Sequence, residues 1–223
     1  MHGQIAYQDR RRQRRHYEVR HFYRIDRLRR RHVALRVQTE PALEPLTREQ
    51  IKEHCRITET EEHPLIDAWI TAARQRCEQF TNRTLITTSW RLTLDAFPAV
   101  VHLPRPPIQS PLTSVKYYDG SGVQQTLAAA NYQLDAESEP GRLVPAYGLT
   151  WPTTRSMLNA VEVIYKAGYG LTRATVPALL LVGMKMLVAH WYEHREQFTP
   201  EQMNEVPEAV QAIFWQFRIL EAT

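Results

Sequence analysis

The longest apolar stretch lies near the C-terminal end of the chain and predicts a helix over residues 176–198, VPALLLVGMKMLVAHWYEHREQF. Apolar residues surround nearly the whole circumference of its first part, which is typical of a helix buried on most sides. Pro177 suits a first helical turn, where the missing N–H costs nothing. After Trp191 and Tyr192 the pattern turns polar, so this end should meet water. We therefore expect the other helices to pack on this one.

Two shorter patterns upstream predict helices of ordinary length. Residues 47–50 (TREQ) form a capping box, which opens a helix that should run to about Arg56. A second helix, from about Glu62 to Phe80, carries apolar side chains at helical spacing on one face. Asn82 follows it and is suited to the C-cap position.

A last helix begins at Pro207 and Glu208, since a proline and an acidic residue both suit a first turn. Its apolar stripe consists of Val206, Val210, Ile213, Phe214, Phe217 and Leu220. Trp215 and Ile219 widen this stripe. This face is large for about fifteen residues. It predicts a partner, either within this chain or on another protein.

Between the helices, apolar and polar residues alternate with a period of two in segments of residues 84–167, a pattern that is typical of strands. Alternation is clearest over 90–94 and 160–166, and the loop 119–122 (DGSG) predicts a hairpin between 115–118 and 123–127. Shorter strands are expected at 101–103, 132–135 and 142–144. The prolines between 104 and 111 indicate an edge or a connector.

These patterns predict an α+β fold, a small bundle of about four helices with an inserted small antiparallel β unit. The expected organisation is an N-terminal arm (1–32), a helical domain (33–83 and 171–223) and the β unit (84–170).

The arm carries most of the positive charge. Residues 1–32 hold eleven arginines and three acidic residues, a net charge of +8, so the remaining chain carries −4 of the overall +4. The clustered arginines, interleaved with aromatic residues, fit a contact with nucleic acid. The same composition is typical of a disordered tail, and it also fits translation from a start codon upstream of the true one. The candidate contact residues are Arg10, Arg11, Arg12, Arg14, Arg15, Arg29, Arg30 and Arg31.

Composition excludes several classes of protein. The most apolar segment, 178–189, is short and contains Lys185, whereas a membrane-spanning helix needs about 20 apolar residues. The N-terminus has no apolar core of a secretory signal. Two cysteines, Cys55 and Cys77, do not make a disulfide framework, which favours a reducing compartment.

One motif could carry catalysis. Residues 190–194 (HWYEH) match H-x-x-E-H, which places His190 and His194 on one helix face as a zinc pair requires, with Glu193 as a general base. The third ligand would be an acidic residue such as Glu201, Glu205 or Glu208. The motif equally fits a polar helix end with incidental histidines. No other catalytic or cofactor-binding motif is found, and we expect neither an enzyme nor a bound cofactor or metal.

Five segments, in matching order, resemble the tailed-phage head–tail connector (adaptor) proteins. The resemblance is to the group named for gp8 of phage phiE125, which is related to the gp6-like adaptors of phage HK97. The segments are 44–56 (EPLTREQIKEHCR), 103–119 (LPRPPIQSPLTSVKYYD), 138–152 (SEPGRLVPAYGLTWP), 167–170 (AGYG) and 176–196, which contains AHWYEHRE. They span about residues 35–198. The family often has asparagine at position 194, so His194 departs from it, which weakens the zinc hypothesis.

The resemblance implies a structural virion protein at the head–tail junction, assembled in the host cytoplasm. Such adaptors form a ring, commonly dodecameric, beneath the portal vertex, where they extend the DNA channel for packaging and ejection. The implied partners are further copies of the chain, the portal protein, a stopper or tail-terminator protein and double-stranded DNA, but no membrane. The family's C-terminal segment docks on the portal, so the stripe from Val206 to Leu220 becomes the expected portal or subunit interface. The alternatives are a zinc metalloprotease and a DNA-binding protein acting through the arm.

Overall fold

The computed structural model describes residues 33–58, 62–194 and 206–220. The described residues from Ala34 to Leu220 belong to one compact unit. Its described part combines four α-helices with two sheets whose recorded strand pairs are antiparallel, which confirms the α+β class. The arginines of the arm lie outside the described residues.

The helices begin close to where the sequence predicts, but the last one ends at Trp215 after eight residues rather than about fifteen. The predicted end of the long helix at residue 198 lies outside the described residues. The capping box is formed, since the hydroxyl of Thr47 accepts from the N–H of Gln50 at 3.2 Å and the Gln50 side chain accepts from the N–H of Thr47 at 3.0 Å. Asn82 caps the second helix in the left-handed conformation, with φ of 56°. The helices are α1 (Arg48–Cys55), α2 (His63–Thr81), α3 (Ala178–Glu193) and α4 (Glu208–Trp215).

Eight strands form two sheets among the described residues. The five-stranded sheet has the order β1-β2-β8-β4-β5, and the three-stranded sheet has the order β3-β7-β6. The strands are β1 (Val33–Thr39), β2 (Thr88–Leu94), β3 (Val101–Leu103), β4 (Ile108–Tyr118), β5 (Gln124–Thr126), β6 (Tyr132–Asp135), β7 (Gly141–Pro145) and β8 (Val161–Ala167). The predicted strands and hairpin are therefore present.

Two features of the sheet differ from the expectation. β1 lies in a segment assigned to the helical domain, yet it forms an edge of the five-stranded sheet beside β2. β4 is an internal strand although it contains Pro111. The ladder with β8 shifts register between Gln109 and Ser114, and this irregularity accommodates a residue that cannot donate a backbone hydrogen bond.

The described residues contain two apolar cores. The helical core is built around α3, whose Leu180, Met184, Leu187 and Val188 are fully buried against the other helices. The second core lies between the sheets and includes Tyr165, whose hydroxyl donates to the carbonyl oxygen of Pro104 at 2.8 Å. α3 is not buried on every side, however, because Leu179 and Val182 are 39% and 46% exposed.

A close approach at Gly183 allows α3 and α4 to pack together. A Cβ atom placed on Gly183 would lie 2.7 Å from Cε1 of Phe214 and 3.2 Å from Cγ2 of Ile213. Glycine therefore leaves space for the ring of Phe214, which is completely buried. This contact fixes where the C-terminal helix lies.

A buried ion cluster joins the helical core to the β unit. Arg74 of α2 donates through Nε to Glu44 at 2.8 Å and through Nη1 to Glu78 at 3.0 Å. Glu78 also accepts from the backbone N–H of Leu85 at 2.9 Å, and Arg105 donates to the carbonyl oxygen of Glu78 at 2.6 Å. Since these bonds satisfy the buried charges, the start of the β unit is held against α2.

Neighbouring residues on α4 offer a matched pair of substitutions. We expect Phe214→Ala to lower the free energy of unfolding by about 3–5 kcal/mol, because it empties a filled core position. Trp215→Ala should cost no more than about 1.5 kcal/mol, because Trp215 is exposed and contributes mainly ring contacts. Urea denaturation of both variants measures the difference. Equal, small effects would contradict an internal role for Phe214.

Candidate functional site

The structure divides the C-terminal apolar stripe between the core and the surface. Val206, Val210 and Phe214 are buried within the chain, and Ile213 and Phe217 are half-buried against the same core. Buried side chains cannot contact a partner in this conformation. Internal packing therefore accounts for their periodicity, and the portal or subunit interface expected at these positions stays a prediction.

Two large apolar side chains remain exposed at this end of the molecule. Trp215 is 58% exposed and Leu220 is 68% exposed. The guanidinium of Arg218 lies 4.9 Å from the ring centroid of Trp215 and 5.5 Å from that of Phe80, while the Phe80 and Trp215 rings meet edge to face at 6.3 Å. This stack holds the Trp215 ring in place.

The segment after α4 is fastened to the end of α2 by hydrogen bonds. Asn82 donates from Nδ2 to the carbonyl oxygen of Ile219 at 3.0 Å, and Arg83 donates from Nε to that of Phe217 at 2.6 Å. The N–H of Ile219 donates to the carbonyl oxygen of Thr81 at 2.9 Å. The segment therefore presents Leu220 from an anchored backbone.

Trp215, Arg218 and Leu220 form what we call the C-terminal patch. Tryptophan and arginine are enriched where protein interfaces derive most of their binding energy. Sequence reasoning included Trp215 and Leu220 in the stripe but missed Arg218. The three-residue spacing between Trp215 and Arg218 is a signal that could have indicated their contact.

The histidine pair is brought together as predicted. The ring centroids of His190 and His194 are 4.6 Å apart, with a 40° tilt between the rings. Nδ1 of His194 donates to the carbonyl oxygen of His190 at 2.9 Å, which directs that ring nitrogen into the helix end. Burial, and next the nearby His194, lower the pKa of His190.

A third ligand is needed to hold a metal at such a pair. Within residues 33–58, 62–194 and 206–220, no group of three or more His, Cys, Asp and Glu side chains is placed to hold an ion. Of the proposed third ligands, Glu201 and Glu205 lie outside the described residues.

No helix in the described part of the chain has the length and apolar character needed to cross a membrane.

Comparison with known proteins identifies a shared fold. No protein-family model matches the chain. No curated protein matches it either. Three solved structures cover 85% of this chain and 97% of their own: the neck of an empty gene transfer agent (GTA) particle computed with C6 symmetry (24% identity, TM-score 0.69), the virion of a native GTA particle (23%, 0.68) and the neck of a native GTA particle computed with C12 symmetry (23%, 0.67).

The structural match covers nearly the whole length of the other chains. Because 97% of each of them is covered, the likeness includes the whole fold rather than one common motif. At 23–24% identity it establishes the fold alone.

Zinc content tests the histidine pair. After dialysis against metal-free buffer we expect far less than one zinc ion per chain, and the same amount in His190→Ala, because two imidazoles alone make an incomplete site. Elemental analysis by mass spectrometry measures it. Stoichiometric zinc in the unchanged protein that is lost in His190→Ala would contradict this expectation and revive the metalloprotease hypothesis.

Proposed function

We propose that this protein is a structural component of the neck of a tailed-phage-like particle, an adaptor that joins the capsid to the tail. The observation that carries the proposal is the fold shared with chains of GTA neck and virion structures over almost their full length. The five sequence segments that resemble phage adaptors point to the same role independently. The role is mechanical rather than catalytic.

In this proposal the protein forms a ring beneath the portal. The matched necks were computed with C6 and C12 symmetry, and a twelve-membered ring is compatible with both. Each copy then contacts two neighbours through different surfaces, because a closed ring with rotational symmetry above twofold uses head-to-tail interfaces. The ring extends the DNA channel during packaging and ejection, and its far side receives a stopper or tail-terminator protein.

The C-terminal patch is the proposed contact with the portal. Its exposed Trp215 and Leu220 offer apolar area, and Arg218 adds a cation beside Trp215. The backbone is anchored to α2, so little conformational entropy is lost when a partner binds. From the predicted apolar stripe, the patch includes only the exposed side chains, Trp215 and Leu220.

The net charge outside the arm also suits a protein that lines a DNA channel. Outside the arm the chain carries a net charge of −4. An acidic body binds DNA weakly, since affinity depends on neutralising phosphates, and DNA must slide through the channel without adhering. The arm has the opposite sign, and its arginines are proposed to contact DNA or the portal. This contact of the arm remains a prediction from the sequence.

Two surface substitutions test the portal contact. We expect the double variant Trp215→Ser/Leu220→Asp to keep the thermal midpoint within a few degrees and to bind assembled portal at least about tenfold more weakly, because it removes exposed apolar anchors. Co-sedimentation with portal rings measures the affinity.

The matched control is Leu171→Asp, which changes another leucine that is 70% exposed but lies between β8 and α3. This control should bind portal as the unchanged protein does. Unchanged binding by the double variant, or an equal loss in the control, would contradict the assignment of the C-terminal patch.

A further inference from the structure

We propose that the outer edge of β1 pairs with the outer edge of β5 of the neighbouring copy, so that the five-stranded sheets of adjacent subunits join head to tail. Neither edge carries a further strand among the described residues. This inference rests on the ring proposed above. It assigns the subunit–subunit contact to the two ends of one sheet, far along the chain from the C-terminal patch that is assigned to the portal.

β1 has the properties of a strand that accepts another strand. It ends the sheet order in the described chain, and every side chain from Arg36 to Glu40 is exposed. Its sequence, VALRVQT, is rich in β-branched residues and contains no proline, glycine or lysine. Proteins that must keep an edge unpaired use short strands, prolines, lysines or bulges. A seven-residue edge with a single charge shows little of this protection.

The apolar face of β1 extends beyond the core of its own chain. Leu35 packs against the core between the sheets. Val37, two residues on and therefore on the same face, is 40% exposed. Since packing within the chain ends before the strand does, part of this apolar face is available to an adjoining subunit.

β5 supplies the complementary edge over three residues, so its ladder with the longer β1 is short. Its residues Gln124–Thr126 are all exposed, and it ends the sheet order on the side opposite β1. The carboxylate of Asp119 holds the preceding turn by accepting from the N–H groups of Ser121 and Val123, both at 3.0 Å, and from the side chain of Gln125 at 2.8 Å. The hairpin is therefore held by contacts within the chain, and among the described strands none pairs with the outer side of β5.

The geometry favours a second copy of this chain over a different protein. One sheet has two unlike open edges, and joining unlike edges repeats the same contact from copy to copy. Such a contact closes into a ring when the rotation per copy divides a full turn, as in the C6 and C12 symmetry of the matched necks. Pairing of β1 with β1, by contrast, would give only a twofold dimer.

Cysteine cross-linking tests this arrangement directly. In a Cys55→Ser background, which removes the half-buried thiol and leaves the buried Cys77, Gln125→Cys is combined in turn with Arg36→Cys, Val37→Cys or Gln38→Cys. The three positions cover both faces of β1 and several registers. Rings assembled alone or on portal are treated with a short bismaleimide and separated under denaturing conditions.

We expect at least one pair to give a ladder of covalent oligomers reaching the full ring, and each variant with only one introduced cysteine to remain monomeric. Complete rings without a ladder from any pair would overturn the strand pairing and leave the ring proposal intact. Dimers from a variant with a cysteine only in β1 would also overturn it, in favour of a twofold contact. Failure to assemble even on portal would overturn the ring itself.

A charge on the edge gives a second, independent measurement. We expect Val37→Lys to fold normally, since the side chain is exposed, and to raise the concentration needed for ring assembly by at least about tenfold, because lysine on an edge opposes strand addition. The matched control is Gln133→Lys, at an exposed position on β6 of the other sheet. Assembly of Val37→Lys at the same concentration as this control would overturn the proposal.

Discussion

Packing around α3 is the constraint on which the rest of the helical part depends. A helix with so many apolar side chains must be covered, and α1, α2 and α4 cover most of it. The cover is tightest at Gly183, where the ring of Phe214 occupies the space of the missing side chain. Burying this surface supplies the hydrophobic free energy that offsets the entropy lost in ordering the four helices.

The same packing decides which residues are left for partners. Because α4 uses Val210 and Phe214 to cover α3, only the end of its stripe reaches the surface. Hydrogen bonds from Asn82 and Arg83 then fix the backbone that follows α4. The exposed side chains of the C-terminal patch therefore project from an anchored backbone. A core that is complete within one chain suits a subunit that folds first and assembles afterwards. In the proposed adaptor role, one surface then contacts the portal and another contacts the neighbouring copies.

Local signals predicted the elements well, because their physical causes are local. The capping box at Thr47 and the left-handed cap at Asn82 depend on residues a few positions apart. β1 was missed because, among the strand's side chains that the structure describes, Leu35 alone packs against the core, so burial imposes almost no pattern on its sequence. β4 was misjudged because proline normally excludes a central strand, and only the register shift near Pro111 makes it possible.

The candidate site was less predictable than the fold. Periodicity identified an apolar stripe from Val206 to Leu220 but could not say whether this chain or another one covers it, since both cases select the same residues. That answer depends on the position of Gly183, far from the stripe in sequence. A reconstruction of the assembled particle neck tests the central claim most directly. We expect a ring of this chain beneath the portal, with Trp215 and Leu220 at the portal contact. A neck without this chain, or a ring with the C-terminal patch facing solvent, would contradict it.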